Sequence, residues 1–205
     1  MLQNGQIAAP GIMALTTAIS LLGLFRLPGI IDKNLFRPFY FLPRKQYATM
    51  ILSGFVHADV GHLLFNMFTF YFFAFPLERF VGTIPFLILY FVGLVLSHTC
   101  TYFKHRNNSA YASLGASGAI SAVLFAYIVY FPATTLMLVP IPVPIPAVVF
   151  AFGYVGYSYW ASTHSRGRIN HDAHLCGALS GIGFVGITDP AAFLGLATTL
   201  GALLK

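Results

Sequence analysis

The chain has 205 residues, of which 58% are hydrophobic and only 8% are charged, and its formal net charge is +6. Soluble domains carry roughly 25% charged residues, so the composition excludes an ordinary soluble domain and indicates a membrane protein. The basic excess is small and forms no separate basic domain. We therefore expect the lipid bilayer, and no nucleic acid, as a partner.

Long stretches without Asp, Glu, Lys or Arg predict the membrane spans, since about 20 apolar residues cross a bilayer as a helix. The 59-residue block 107–165 is interrupted by several prolines from Pro132 to Pro146, which predicts two helices joined by a proline-punctuated turn. The sequence therefore predicts one all-α domain over residues 1–205 with six transmembrane helices. Their approximate limits are 7–26, 61–78, 84–103, 115–131, 145–161 and 173–188.

The remaining segments are predicted to lie at the membrane surface. The first span lacks the basic start of a signal peptide, so we expect it to be retained. The long first loop, residues 27–60, mixes aromatic and basic side chains and should be partly embedded in the headgroup region. Residues 190–205 are too few to cross and should form a short interfacial segment.

The second, fourth and sixth spans of such a protein begin at the same membrane face, called the site face below. The second span opens with HADVGHLLFNMF, which places His62 and Asn66 one helical turn apart. The fourth opens with GASG and contains Ser117, and the sixth opens with NHDAHLCGALSG and contains His171 and His174. Polar groups inside a membrane are costly and mark functional sites, so we expect these side chains to form a cluster.

The residue types in this cluster are those of acyl-transfer catalysis: a hydroxyl nucleophile, an imidazole base and fixed hydrogen-bond donors. The first N–H groups of a helix have no partner within it and favour negative charge. Gly115 and Gly118 flank Ser117 closely enough for a substrate backbone to approach, and the Asn66 amide can face a developing oxyanion.

Small residues predict which helices bring the cluster together. The fourth span carries Gly118, Ala122 and Ala126 at four-residue spacing, and the sixth carries Gly177 and Gly181. Such faces let membrane helices approach closely. Because serine is short, a hydrogen bond between Ser117 and His174 requires this approach.

Several motifs, taken in chain order, resemble those of the rhomboid family of intramembrane serine proteases. They are HADVGHLLFN, LERFVG with Glu78 and Gly82, GASG and AHLCG, and together they span most of residues 57–181. The resemblance implies a six-helix rhomboid-like bundle and a serine endopeptidase that cleaves transmembrane helices of other membrane proteins. It implies no metal and no organic cofactor.

The same resemblance implies roles for individual residues. Ser117 is the nucleophile and His174 the general base of a dyad without a carboxylate, while His62 and Asn66 match the oxyanion-side residues. His171 faces the same side as His174, and three roles stay open for it: substrate binding, tuning of the base, or none. Asp172 is two positions from His174, about 200° around the helix, so we reject it as an orienting acid.

One departure from the family pattern concerns the support of the catalytic imidazole. The family commonly has an aromatic residue four positions after the nucleophile, packed on the catalytic imidazole, whereas this chain has Ser121. Candidates to replace it come from the end of the fifth span: Tyr154, Tyr157, Tyr159 and Trp160. The same span, with the bulky run FGYVGYSYW, is a candidate lateral gate for substrate.

Other chemistries compete with this interpretation. A metal site could draw on His57, His62, His171 and His174, but no carboxylate accompanies them at ligand spacing. An aspartyl protease needs paired acids, and the three span-adjacent ones lie at helix ends: Asp59, Asp172 and Asp189. We expect His57 to be a loop or capping residue, and His98, His105 and His164 to be interfacial or solvated.

The non-enzymatic alternative is a catalytically silent rhomboid-like protein that binds and escorts membrane proteins. Both Ser117 and His174 are present, which favours the enzyme. Cys100 and Cys176 lie inside predicted spans and are expected to be buried hydrophobes rather than a disulfide. We expect a multi-pass protein of a bacterial inner (cell) membrane, with its orientation and oligomeric state left open.

Overall fold

A computed structural model describes residues 7–138, 141–164 and 169–203, and these residues are mostly helical. The elements in chain order are α1 (Ala8–Phe25), α2 (Gly29–Asn34), α3 (Pro38–Phe41), α4 (Thr49–Leu52) followed by a 3₁₀ turn (Ser53–Phe55), α5 (Val60–Val81), α6 (Thr83–His105), α7 (Ser117–Tyr130), β1 (Thr135–Leu138), β2 (Ile141–Pro146), α8 (Ala147–His164), α9 (His171–Thr188) and α10 (Ala192–Leu203). Each predicted span coincides with one helix to within three residues at either end.

Of the described helices, fewer than six are long and apolar enough to cross a membrane. Among the described residues, α1, α5 and α6 are long and apolar enough to cross. Helices α9 and α10 pass the same test only as a pair, and they bend by 119° at the break between them. Helix α7 is apolar but has only 14 residues.

The connection between α7 and α8 differs from the predicted turn. It contains an antiparallel hairpin in which Thr135 of β1 pairs with Pro146 of β2, and Met137 pairs with Pro144. Proline lacks the N–H needed inside a sheet but is tolerated on an edge strand, and both strands of a two-stranded hairpin are edges. The all-α prediction therefore describes the helical bundle and misses this hairpin.

Helix α7 lies at the centre of the bundle. Nearly all of its residues are buried, and it packs against α9, α6 and α5. A helix that is apolar on every side is typical of a position surrounded by other helices. The short α7 is therefore the element around which the other helices are arranged.

The predicted contact between the fourth and sixth spans is confirmed. A Cβ atom built on Gly177 of α9 would overlap the carbonyl group of Gly118 on α7, and one built on Gly181 would overlap the carbonyl of Ala122. The two helices thus touch through their backbones along two turns. This is the approach that small residues at four-residue spacing allow.

The buried carboxylate of Glu78 joins α5 to the beginning of α1. It accepts hydrogen bonds from the backbone N–H groups of Ala8 at 2.9 Å, Ala9 at 2.8 Å and Ile7 at 3.2 Å. The Thr83 hydroxyl donates a fourth bond at 2.8 Å. The first N–H groups of a helix have no intrahelical partners and attract negative charge, so Glu78 satisfies the start of α1.

The expectation that the two cysteines are separate buried hydrophobes is wrong. Cys100 of α6 and Cys176 of α9 form a disulfide across 76 positions of sequence. The bond forms because α6 and α9 pack side by side. It ties the helix that carries His174 to its neighbour.

We predict that Gly177→Ala destabilises the fold by about 2 kcal/mol or more, because an added methyl group forces two packed backbones apart. Gly153→Ala on α8 is the matched control, since a Cβ there meets nothing within 4 Å and alanine favours helix. Reversible unfolding in detergent measures both. Equal stability of the two variants would contradict the α7–α9 contact.

We also predict that Glu78→Ala lowers the free energy of unfolding by about 3 to 5 kcal/mol, because buried donors lose a charged partner. Asp32→Ala removes an ion pair with Arg37 in which the aspartate side chain is 74% exposed, and it should cost less than about 1 kcal/mol. The same unfolding measurement compares them. A Glu78 variant no less stable than the Asp32 variant would show that this cap contributes little.

Candidate functional site

The turn before α7 requires glycine at position 115. Gly115 has a φ of +105°, and a Cβ there would lie 2.7 Å from Cε1 and 2.9 Å from Nε2 of His62. Its N–H donates to the Ser53 carbonyl at 2.9 Å. The GASG turn is therefore fixed against the first loop on one side and against the His62 imidazole on the other.

Ser117 is the first residue of α7 and is half-buried. The next residue, Gly118, leaves no room for a side chain, because a Cβ there would overlap Ser97 and would lie 3.5 Å from the Ala173 carbonyl oxygen. The start of α7 therefore adjoins the first turn of α9, where His174 is found. The close helix approach predicted at Gly118 and the position of Ser117 therefore both depend on the contact between α7 and α9.

His174 is half-buried in the first turns of α9. Its ring lies 6.3 Å from the Tyr154 ring and 6.1 Å from the His171 ring, measured between centroids. Within the described part of the chain, no hydrogen bond joins the Ser117 hydroxyl to the His174 imidazole. Both residues belong to the same end of the α7–α9 contact and both are half-buried.

His62 and Asn66 occupy one face of α5, as their spacing predicts. Asp59 caps the helix by accepting the His62 N–H at 2.8 Å. The Asn66 amide nitrogen donates to the His62 carbonyl at 2.9 Å, which uses one of its two N–H groups. The Asn66 Oδ1 atom is buried without a hydrogen-bond partner among the described residues. Those residues therefore do not use the full hydrogen-bonding capacity of the Asn66 side chain.

His171 is the first residue of α9 and is buried. Its ring stands edge-on to the Tyr157 ring at 5.4 Å and to the His174 ring at 6.1 Å. It therefore lies beside the His174 ring on the side that faces α8. These contacts leave its three candidate roles open.

His57 is a member of this cluster that the sequence did not identify. It is fully buried, and its ring lies 4.9 Å from the His62 ring. Its Nδ1 bonds to the Ser20 hydroxyl of α1 at 2.9 Å, and that hydroxyl donates to the Phe55 carbonyl at 3.0 Å. His57 lies in the loop before α5, as predicted, and the structure adds that it connects α1 to the His62 side of the site.

His98 also differs from its prediction. It is buried on α6 rather than interfacial or solvated. Its Nδ1 donates to the Leu94 carbonyl at 2.9 Å, so Nε2 of the neutral ring accepts from the Ser53 hydroxyl at 3.0 Å. Because the Ser53 carbonyl binds Gly115, His98 helps to hold the GASG turn.

The Asp172 carboxylate points to α6 rather than acting on the imidazole of His174. It pairs with Lys104 at 2.7 Å and with His105 at 3.3 Å. Lys104 also donates to the Ser162 carbonyl at the end of α8. This arrangement agrees with the rejection of Asp172 as an orienting acid and shows that it joins the start of α9 to α6 and α8.

The competing chemistries gain no support from the described residues. No group of three or more His, Cys, Asp or Glu side chains within them is arranged to hold a metal ion. Asp59 serves as a helix cap and Asp172 as an ion-pair partner, so neither is paired with another acid. His164 is exposed, as expected, and His105 stacks on Tyr111 at 3.7 Å.

The buried position of His57 predicts how stability depends on pH. Burial, reinforced by the nearby His62, lowers the pKa of His57 from its ordinary value of 6.5 to about 3. Between these values the unfolded chain binds more protons, so stability is fully present above 6.5 and falls as the pH drops towards 3. The slope per proton is about 1.4 kcal/mol per pH unit.

We expect His57→Gln to show an unfolding free energy with a shallower acid dependence than the wild type, by about one proton. Unfolding in detergent across the acid range measures the slope. The matched control is His164→Gln on the exposed end of α8. A His57 variant whose profile stays parallel to that of the wild type would contradict this assignment.

Comparison with known proteins gives a family for the chain. Residues 44–189 match the model of the Rhomboid domain. The chain is 31% identical over 193 residues to presenilin-associated rhomboid-like protein A, mitochondrial, of Danio rerio, an alignment that covers 90% of this chain and 49% of that protein.

Two further relatives support the match. RHOMBOID-like protein 12, mitochondrial, of Arabidopsis thaliana is 32% identical over 63% of this chain and 43% of its own length. Presenilin-associated rhomboid-like protein, mitochondrial, of Homo sapiens is 29% identical over 90% and 49%. The chain thus spans about half the length of these curated relatives. It belongs to the rhomboid family of membrane proteins.

Proposed function

We propose that this chain is an intramembrane serine endopeptidase that cleaves transmembrane helices of other membrane proteins, with Ser117 as nucleophile and His174 as general base. The observation that supports this most strongly is the backbone contact between Gly118 and Gly177. It sets the start of α7 against the first turns of α9, where both side chains are half-buried. Family membership favours the same activity, because rhomboids are typically serine proteases.

The proposed reaction is acyl transfer in two steps. His174 takes the proton of the Ser117 hydroxyl as its oxygen attacks a backbone carbonyl, and it then gives the proton to the departing amine. Water then attacks the acyl-enzyme while His174 takes a proton from it. His174 returns this proton to the Ser117 oxygen as the acyl C–O bond breaks, which restores the hydroxyl and releases the new carboxylic acid. No metal or organic cofactor takes part in this scheme.

The oxyanion formed in each step needs preorganised donors. The Ser117 N–H is at the first residue of α7 and has no helical partner there. Asn66 retains one amide N–H beyond the bond to His62, and the His62 ring lies against Gly115. We assign these groups to oxyanion binding, with Gly115 and Gly118 allowing a substrate backbone to approach and His171 beside the binding path.

The length of α7 favours a site below the membrane surface. Fourteen helical residues extend about 21 Å, whereas the hydrocarbon core is roughly 30 Å thick. In a six-span, single-domain arrangement, α7 therefore leaves room for water above Ser117. A substrate helix hides its backbone groups in its own hydrogen bonds, so helix-weakening Gly or Pro residues should promote cleavage.

For localisation, the family match supports a multi-pass membrane protein. The three relatives described above carry the word mitochondrial in their names, and they give no support to the expected bacterial cell membrane. The 119° bend between α9 and α10 suits the proposed interfacial position of the last helix. The partners that the proposal requires are transmembrane protein substrates and the bilayer.

The second candidate is a rhomboid-like protein that binds and escorts membrane proteins without cleaving them. One observation favours it: the Ser117 hydroxyl and the His174 imidazole are not hydrogen-bonded to each other among the described residues. Catalytic hydrogen bonds are often long before substrate binds, so this geometry is compatible with an enzyme as well. The two candidates differ in whether the serine reacts.

We predict that the purified protein in liposomes cleaves a fluorogenic transmembrane reporter with a Gly-containing helix and reacts with a fluorophosphonate. Ser117→Ala and His174→Ala should each lower the cleavage rate at least about 1,000-fold, because each removes a partner of one reacting unit. Ser162→Ala, a serine on the exposed part of α8, is the matched control. It should cleave like the wild type.

Two results would contradict the proposal. One is equal cleavage by the wild type and the Ser117 variant, which would place the activity elsewhere. The other is a folded wild type that binds the reporter helix but neither cleaves it nor reacts with the fluorophosphonate, which would favour the escort protein.

A further inference from the structure

Tyr154 of α8 reaches the helix that begins with Ser117. Its hydroxyl is 2.7 Å from the hydroxyl of Ser121, a buried residue one turn after Ser117 on α7. A buried hydroxyl is costly without a partner, and each of these two groups satisfies the other. Position 121 therefore carries the small polar residue that allows a tyrosine from another helix to approach α7.

The same tyrosine ring lies beside the imidazole of His174. The two centroids are 6.3 Å apart and the ring planes differ by 26°. Phe125 and Phe150 contact the other parts of the tyrosine ring, at 5.3 Å and 5.7 Å. These contacts and the bond to Ser121 hold the Tyr154 ring between α7, α8 and α9.

The imidazole of His174 has few other constraints. Within the described chain it makes no side-chain hydrogen bond, and the nearby Asp172 is bound to Lys104 and His105. Its ring contacts are Tyr154 and His171. A base without an orienting carboxylate must be held by packing, and offset aromatic contacts favour a defined ring plane.

We propose that Tyr154 is a positioning residue for His174 and that Ser121 sets the place of its ring through their hydrogen bond. This inference rests on the proposed function and adds a third helix to the catalytic arrangement. Tyr154 acts through the imidazole and does not itself touch the reacting atoms.

Because Tyr154 belongs to α8, it links His174 to a helix that is otherwise loosely packed. Half of the residues of α8 are exposed, among them Phe152, Tyr157, Tyr159 and Trp160, and Gly153 and Gly156 face open space. Because the ring belongs to α8, any displacement of α8 away from α9 would also withdraw it from His174. The base is therefore fully supported only when α8 lies against α9.

The test compares variants that remove the hydrogen bond with one that removes the ring. Tyr154→Phe and Ser121→Ala should each lower kcat about fivefold, and the double variant should be no worse than either, because all three lose the same bond. Tyr154→Leu should lower kcat about tenfold or more with KM changed less than twofold. Tyr159→Leu, at an exposed position of the same helix, should leave both constants unchanged.

A rescue variant separates positioning from general stability. Tyr154→Ala empties the space beside His174, and Ser121→Tyr in that background offers a ring from α7 instead. We expect the double variant to recover at least half of the kcat lost in Tyr154→Ala. Unfolding in detergent measured alongside shows that recovered activity does not simply follow recovered stability.

Failure of this inference is distinguishable from failure of the proposed function. A wild type that cleaves the reporter while Tyr154→Leu keeps its kcat within twofold overturns the positioning role and leaves the peptidase standing. A kcat that falls only in proportion to lost folded protein, with no rescue by Ser121→Tyr, also overturns it. A wild type that neither cleaves nor reacts with the fluorophosphonate overturns both.

Discussion

The backbone contact between α7 and α9 is the constraint on which the rest of the site depends. Gly177 and Gly181 lie against the carbonyl groups of Gly118 and Ala122, and no larger side chain would allow that separation. Serine has one of the shortest side chains that can act as a nucleophile, so it can meet an imidazole on another helix only where the helices nearly touch. The disulfide from Cys176 to α6 also holds α9 against α6, which itself packs on α7.

The polar groups around the site are stabilised by partners drawn from distant parts of the chain. Ser20 of α1 binds His57, and Ser53 of the first loop binds both His98 and Gly115. In a chain surrounded by lipid, an unpaired polar group is costly, so these bonds fix the first loop as well as the imidazoles. The loop thereby acts as a structural support for the start of α7.

The sequence predicted the helices and the α7–α9 contact, because helical periodicity and the spacing of small residues can be read along the chain. The clustering of His62, Asn66, Ser117 and His174 as a functional site stays a prediction. The sequence did not predict pairings that depend on which helices become neighbours. Cys100 and Cys176 lie at similar depths near the site face, which was a usable signal, but only the packing of α6 on α9 makes them partners. The burial of His98 and the reach of Tyr154 likewise depend on side-by-side packing.

The most direct test of the account is an experimental structure of the protein after reaction with a fluorophosphonate in a lipid environment. The account predicts phosphorus bonded to the Ser117 oxygen, the His174 imidazole within hydrogen-bond distance of the adduct, and the α7 and α9 backbones in contact at Gly118 and Gly177. An adduct on another serine, or a His174 ring turned towards a different helix with the two backbones separated, would contradict it.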